Sequence, residues 1–285
     1  MKNTLKNVGL VILSLLLTFS VSNAYAGKRV KLAYVEWACA TASTNVVKAV
    51  LQEKMGYRVK EMAVSAAAMW QATASGNVDG FVTAWLPSTH KSYLNGVKGK
   101  VEIAGTLFSG ARIGLVVPKY VTINSIAEIN AHADKFDGKI IGIDPGAGLM
   151  SSTEKVLKDY GLTNMRLMEG SGAIMTASLA NAFKRKQWVV VTGWSPHWKF
   201  ARWPLKYLED PKKIYGDAEL IQTIVHKDLK KNKPDVYAFL KNFKWPENGL
   251  QTVMGWNTQD DADPYENAKR YLKENPDVVK KWLAK

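Results

Sequence analysis

Short apolar runs alternate with stretches of helical period along most of the chain. "VKLAYVEW" (30–37) reads as a buried strand. "ASTNVVKAVLQEKMG" (42–56) reads as a helix, with Ser43 or Thr44 as its N-cap and Gly56 as its stop. "YRVKEMAV" and "VDGFVTAW" are further strands, separated by the helical "AAAMWQATASG". "ARIGLVVPKY" (111–120) is another strand, ended by Pro118. Then come a helical "SIAEINAHADKF", a strand "KIIGID", helices "SSTEKVLKDYG" and "IMTASLANAFKRK", and a strand "WVVVTGW". The tail from 232 onward is mostly helical, with "PDVYAFLKNF", "DPYENAKRYLKEN" and "PDVVKKWLAK". Strands alternating with helices of about 10–15 residues predict an α/β fold with largely parallel sheets.

The first 26 residues follow a different logic. Lys2 and Lys6 precede an apolar run (Val8–Phe19), and small residues stand at Ala24 and Ala26. This is the three-part pattern of a secretory signal, with cleavage expected after Ala26. No later stretch is long and apolar enough to span a membrane. The mature chain is therefore expected to be exported, with no membrane insertion of its own.

Composition refines this picture. With 47% hydrophobic and 22% charged residues, the balance is that of a globular protein with a sizeable core. Cys39 is the only cysteine, so no intrachain disulfide can form, and it lies too far into the chain to carry a lipoprotein anchor. The net charge of +14 is spread over clusters such as Lys184–Lys186 and Lys280–Lys281, with no zinc spacing or RNA-binding signature. A solvated basic surface accounts for it, and no nucleic-acid partner is expected. Four histidines without ligand spacing predict neither a metal nor a cofactor.

One internal echo stands out. "FVTAWLPSTH" (81–90) and "VVTGWSPHW" (190–198) share Val-Thr-small-Trp-x-Pro. In each, a buried strand ends in tryptophan and the chain breaks at proline. Trp37 closes the first strand in the same way. Ligands in open α/β sheets bind beyond the carboxyl ends of strands. Any single tryptophan is as well explained by core packing, and Trp70, Trp188, Trp203, Trp245, Trp256 and Trp282 are read so. Trp37, Trp85 and Trp194 share a position, in two halves of the chain, and suggest two similar lobes with a cleft between. Several indole faces around one quaternary ammonium form an aromatic cage, at about 0.5–2 kcal/mol per face.

Two further elements suggest an anion site. In "GIDPGAGLMSSTEK" (142–155) a strand ends at Asp144, and a Gly-rich turn opens a helix whose N-terminal amides can hold an anion. A plain tight turn gives the same local pattern, and the spacing is not that of a nucleotide phosphate loop. His197, three residues after Trp194, is a candidate donor to a carboxylate. A cation cage beside an anion-binding turn implies a small zwitterion.

"LAYVEWACATASTNVV", "VTAWLPSTHK", "GIDPGAG" and "VVTGWSPHWKFARWPLKYLEDPKK" together resemble the glycine betaine-binding proteins of osmoprotectant ABC transporters. The resemblance runs through the mature chain. It implies a two-lobed periplasmic binding protein (type II) with two crossing segments and the ligand between the lobes. Lobe I would comprise 27–115 and 220–285, and lobe II 116–219. The resemblance also implies that Trp37, Trp85 and Trp194 box a trimethylammonium. A carboxylate would be held by the amides of Gly148 and Leu149 and by His197. An ABC permease would be the partner and the periplasm the location. Where relatives carry an acidic residue two after the first tryptophan, this chain has Cys39. Glu36, on a strand, would point to the other face.

Choline, carnitine and dimethylsulfoniopropionate also offer a methylated onium, so a cage alone does not choose among them. The rival class is a hydrolase built on Ser195, His197 and Asp144. Ser195 and His197 flank Pro196 and no G-x-S-x-G elbow is present, so no enzymatic activity is expected.

Overall fold

The computed structural model describes residues 28–284. The leader with its cleavage site after Ala26 lies outside the described residues.

Strand β1 (Arg29–Tyr34) is followed by α1 (Ala38–Glu53), β2 (Arg58–Ala63), α2 (Ala66–Ala74), β3 (Gly80–Leu86) and α3 (Lys91–Gly96). β1 pairs in parallel with both β2 and β3. All seven residues of β3 are buried, as its largely apolar run, interrupted only by Thr83, requires for a central strand. Next comes β4 (Val101–Pro118), an 18-residue strand. The following units are β5 (Lys139–Ile141), α4 (Gly148–Asp159), β6 (Arg166–Met168), α5 (Gly172–Lys184), β7 (Val190–Ser195), α6 (Lys199–Arg202) and β8 (Leu205–Tyr207). β9 (Glu219–His226) then returns, and helices α7 (Leu229–Asn232), α8 (Pro234–Asn242), α9 (Gly249–Trp256), α10 (Pro264–Glu274) and α11 (Pro276–Trp282) close the chain.

The strand order is β2-β1-β3-β9-β4-β7-β5-β6, with β8 alongside β4. β4 joins the two halves: Val101–Ala111 pairs with β9, and Arg112–Val116 pairs with β7. The two-lobed α/β architecture agrees with the sequence reading; the expectation of largely parallel sheets needs correction. β5 runs parallel to β6 and β7, but β3–β9, β4–β9, β4–β7 and β4–β8 are all antiparallel. The connecting strands β4 and β9 lead the chain across and back without a helical crossover, so their pairing direction reverses.

A second correction concerns the first helix. α1 begins at Ala38, not at 42, and Trp37 is its N-cap residue rather than the end of a strand. Ser43 and Thr44 lie buried inside the helix, and Ser43 accepts the Trp245 indole N–H at 3.0 Å. Gly56 does end this segment, with φ +70° in the left-handed region that favours glycine. The C-terminal helices cover α1. Asp263 caps α10 by accepting from the amides of Tyr265 and Glu266. Trp245, Tyr271, Phe243 and Trp282 stack edge to face beneath it. Among the described residues no helix is long and apolar enough to cross a membrane.

Candidate functional site

Where the two sets of strands face each other they leave a cavity lined from both. Trp37, Trp85 and Trp194 all line it, with exposures of 6%, 4% and 4%. Trp85 is the penultimate residue of β3, and Trp194 of β7. Trp37 reaches the same place from the start of α1. Cys39, the second residue of α1, also lines it.

Each ring is held by its own support. The Trp37 indole N–H donates to Asp144 Oδ1 at 2.8 Å, a bond from the first set of strands to the second. Trp85 carries its backbone amide to His90 Nδ1 at 3.1 Å and its carbonyl to the His90 amide at 2.9 Å. Trp194 meets the His197 ring edge-on, with centroids 4.6 Å apart. Cys39 lines the cavity beside Trp194, and burial pushes its thiol up to about 11. A neutral sulfur thus sits beside the cage.

The Gly-rich turn also lines the cavity. Gly148 and Leu149 line the cavity as the first residues of α4. Their N-cap, Ala147, has no side chain to accept a hydrogen bond, while the amides of Met150 and Ser151 already bond the Ala147 carbonyl. The Gly148 and Leu149 amides have no protein acceptor among the described residues. Glycine is required at 148: a Cβ there would fall 2.2 Å from the Thr89 carbonyl oxygen. That close approach brings α4 onto the loop after β3. Tyr93 Oη donates to the Gly146 carbonyl at 2.6 Å across the same seam.

The histidine on the cavity wall is His90, not His197. His197 sits behind Trp194: it is buried, its Nδ1 accepts from the Lys199 amide at 3.1 Å, and its carbonyl accepts from Gln251. The sequence pointed to His197 because it is nearer a tryptophan in the chain. The turn after Pro196 carries its ring behind the wall. His90 lies five residues after Trp85 and was available in the same echo, "AWLPSTH". Burial holds His90 neutral, down to about 3. Because Nδ1 accepts from Trp85, the ring proton belongs on Nε2, which has no protein partner among the described residues. Thr89, also on the wall, is fixed by its amide and hydroxyl both donating to Glu219 Oε1 at 2.9 Å.

The cavity is therefore lined by three tryptophans and a neutral thiol, together with Gly148, Leu149 and His90, whose amides and Nε2–H have no protein partner among the described residues. Glu36 is exposed and outside it. The supposed hydrolytic trio is not assembled: Asp144 is bonded to Trp37, and His197 is bonded to Lys199 rather than to Ser195. Trp70, Trp245 and Trp282 are buried in packing, and Trp188, Trp203 and Trp256 are half-buried elsewhere.

Residues 28–274 match the family described as the substrate-binding domain of ABC-type glycine betaine transport systems. The chain is 42% identical over 182 residues to a glycine betaine/carnitine transport binding protein, GbuC, of Listeria monocytogenes. That match covers 63% of this chain and 58% of the relative. Lactococcal OpuAC, in its closed form with glycine betaine, superposes with a TM-score of 0.85 at 41% identity, covering 90% of this chain and all of that one. A choline-binding protein of an ABC transporter, in complex with choline, superposes with a TM-score of 0.84 at 27% identity, covering 90% and 91% of the two chains.

Proposed function

The chain belongs to the substrate-binding family of ABC-type glycine betaine transport systems, and from that premise we propose that its cavity captures glycine betaine or a close zwitterionic relative for an ABC permease. The observation that carries this is the pairing of two chemistries in one cavity. Three indoles, Trp37, Trp85 and Trp194, offer faces to an onium that has no N–H to donate. Two unsatisfied amides at Gly148 and Leu149 and the Nε2–H of His90 offer donors to a carboxylate. A ligand with both ends satisfies all of them.

The lobes would run over 27–115 with 220–285, and over 116–219, and would close on the ligand about the crossing segments. The donors after β3 and at the start of α4 belong to different lobes, so the carboxylate would bridge them. Export through a leader cleaved after Ala26 would place the protein in the periplasm. Intact-mass analysis of the exported chain checks this, with Gly27 expected as its first residue. The family is one of transport receptors, and the site holds no nucleophile–base pair.

A thermal-shift panel on the mature protein tests the ligand. Glycine betaine should raise the melting temperature and change tryptophan fluorescence, while glycine, which lacks the methyls, should do neither. No response to any methylated onium would defeat the proposal. Choline is the second reading, supported by the choline complex of the relative at 27% identity. It uses the cage but leaves donors unmet, and an unmet buried donor costs about 1–3 kcal/mol.

A further inference from the structure

Behind Trp194 lies a feature that the cage does not explain. Lys199, the first residue of α6, is fully buried, with its Nζ 4.4 Å from the centroid of the Trp194 ring. Among the described residues Nζ has no hydrogen-bond partner and no carboxylate within ion-pair distance. The stem packs beside Gly193, with Lys199 Cε 3.6 Å from where a Cβ would stand, an ordinary van der Waals contact. An unpaired buried ammonium is costly and is seldom kept for packing alone. Lys199 does not itself line the cavity; Trp194 separates it from the space inside.

We propose that Lys199 is a specificity-determining residue, whose charge behind Trp194 biases the cage against net cations and towards zwitterions. The inference rests on the reading that the cavity takes methylated oniums. An ammonium against one indole repels an onium held by the same ring. For choline the repulsion is uncompensated. For betaine the carboxylate is attracted as the onium is repelled, so the net penalty is smaller. Low-dielectric surroundings and the absence of a neighbouring counter-charge keep this field from being screened. Cys39, where a carboxylate would neutralise the lysine, offers only a thiol.

The charge is also adjustable. Burial brings Lys199 down to about 7. The titratable groups facing it are Cys39 from α1, pushed up to about 11, and His197, held well below its usual range. His90, on the cavity wall, is down at about 3. Glu219 and Asp144 are carboxylates bonded to the wall residues Thr89 and Trp37. The lysine thus loses its charge in the range where the thiol and both imidazoles keep a constant state. Discrimination against choline should be strongest below neutrality and fade above it.

The test is the ratio of choline to glycine betaine dissociation constants, measured by calorimetry from about pH 6 to about pH 8.5, across the lysine's titration. In the wild type the ratio should fall by at least about threefold as pH rises. Choline binding near neutrality should release protons, read as a dependence of the observed heat on the buffer's ionisation enthalpy. In Lys199→Met the ratio should be flat and near the wild-type value at high pH. Should that variant not fold, Cys39→Asp supplies the missing counter-charge and should likewise flatten the profile by tightening choline. A flat wild-type profile would overturn the inference, as would a slope that persists in both variants. Betaine binding with a flat profile defeats this inference alone; no binding of either ligand defeats the proposed function with it.

Discussion

The corners after β3 and β7 are nearly the same sentence written twice. Each runs Val-Thr-small-Trp-x-Pro, each strand delivers its tryptophan to one cavity, and each proline follows a cis peptide bond. They part at the histidine. At the first corner His90 turns back, ties both hydrogen bonds to Trp85 and stays on the wall. Its other side is packed against Trp70 and Tyr93, with centroids 6.0 and 5.9 Å away. At the second corner His197 goes behind the wall, and a buried lysine stands there with it. One corner keeps its histidine on the cavity wall among neutral aromatics. The other buries its histidine behind the wall beside a lysine. Similar local sequence fixes where the ring goes; the residues after the proline decide what the ring is worth.

The largest effects should come from what the corners share. Trp85→Ala and Trp194→Ala should each weaken betaine binding by about 1–3 kcal/mol, through lost cation–π attraction and lost packing. Trp37→Ala should match them, and Phe replacements should be milder, all measured by titration calorimetry. If all three Trp→Phe variants bound as the wild type does, the cage would be wrong. Gly148→Ala should cost a similar amount, because the added Cβ meets the Thr89 backbone rather than a movable side chain. Overpacking of that kind costs about 1–3 kcal/mol. Here the loss should appear in affinity more than in melting temperature, since the contact is across the seam.

Acid should act on both histidines alike. Each is held neutral by burial in the folded state and would titrate near pH 6.5, to within about a unit, in the unfolded chain. Below that value the unfolded state binds more protons, so stability falls as pH falls. Melting temperature should decline from neutral pH towards about pH 5. His90→Gln and His197→Gln should each shallow the decline, and an unchanged slope in both would contradict their buried neutral state. The smallest effect should be Cys39→Ser. The thiol is buried but has no covalent partner, so the change should cost about 1 kcal/mol, a shift of a few degrees.

The three tryptophans and the Gly-rich turn were legible because their positions at strand ends and helix starts follow from local pattern. The α/β class was legible for the same reason, as alternation of period. β4 was not. Its first half, "VEIAGTLFSG", is interrupted by Gly105 and Gly110 and takes its strand character from pairing with β9, more than 100 residues away. At Gly105 the backbone of Lys241 comes so near that a Cβ would lie 2.5 Å from its carbonyl oxygen. The start of α1 was missed because Trp37 caps it without a side-chain bond, leaving no polar N-cap to read. The choice between His90 and His197 depended on which way a turn carries a ring, which proximity in sequence does not specify. The buried Lys199 had no sequence signal, since lysine next to a turn is ordinarily solvated.

The most direct test is therefore to set the two histidines against each other. Calorimetric titration of glycine betaine and choline into the wild type, His90→Ala and His197→Ala reads both ends of the site at once. His90→Ala should weaken betaine by about tenfold, the cost of one lost donor, and leave choline within about twofold. His197→Ala, which removes only a prop behind Trp194, should weaken both ligands by similar, smaller factors. A betaine-selective loss in His197→Ala, with His90→Ala unchanged, would contradict the account.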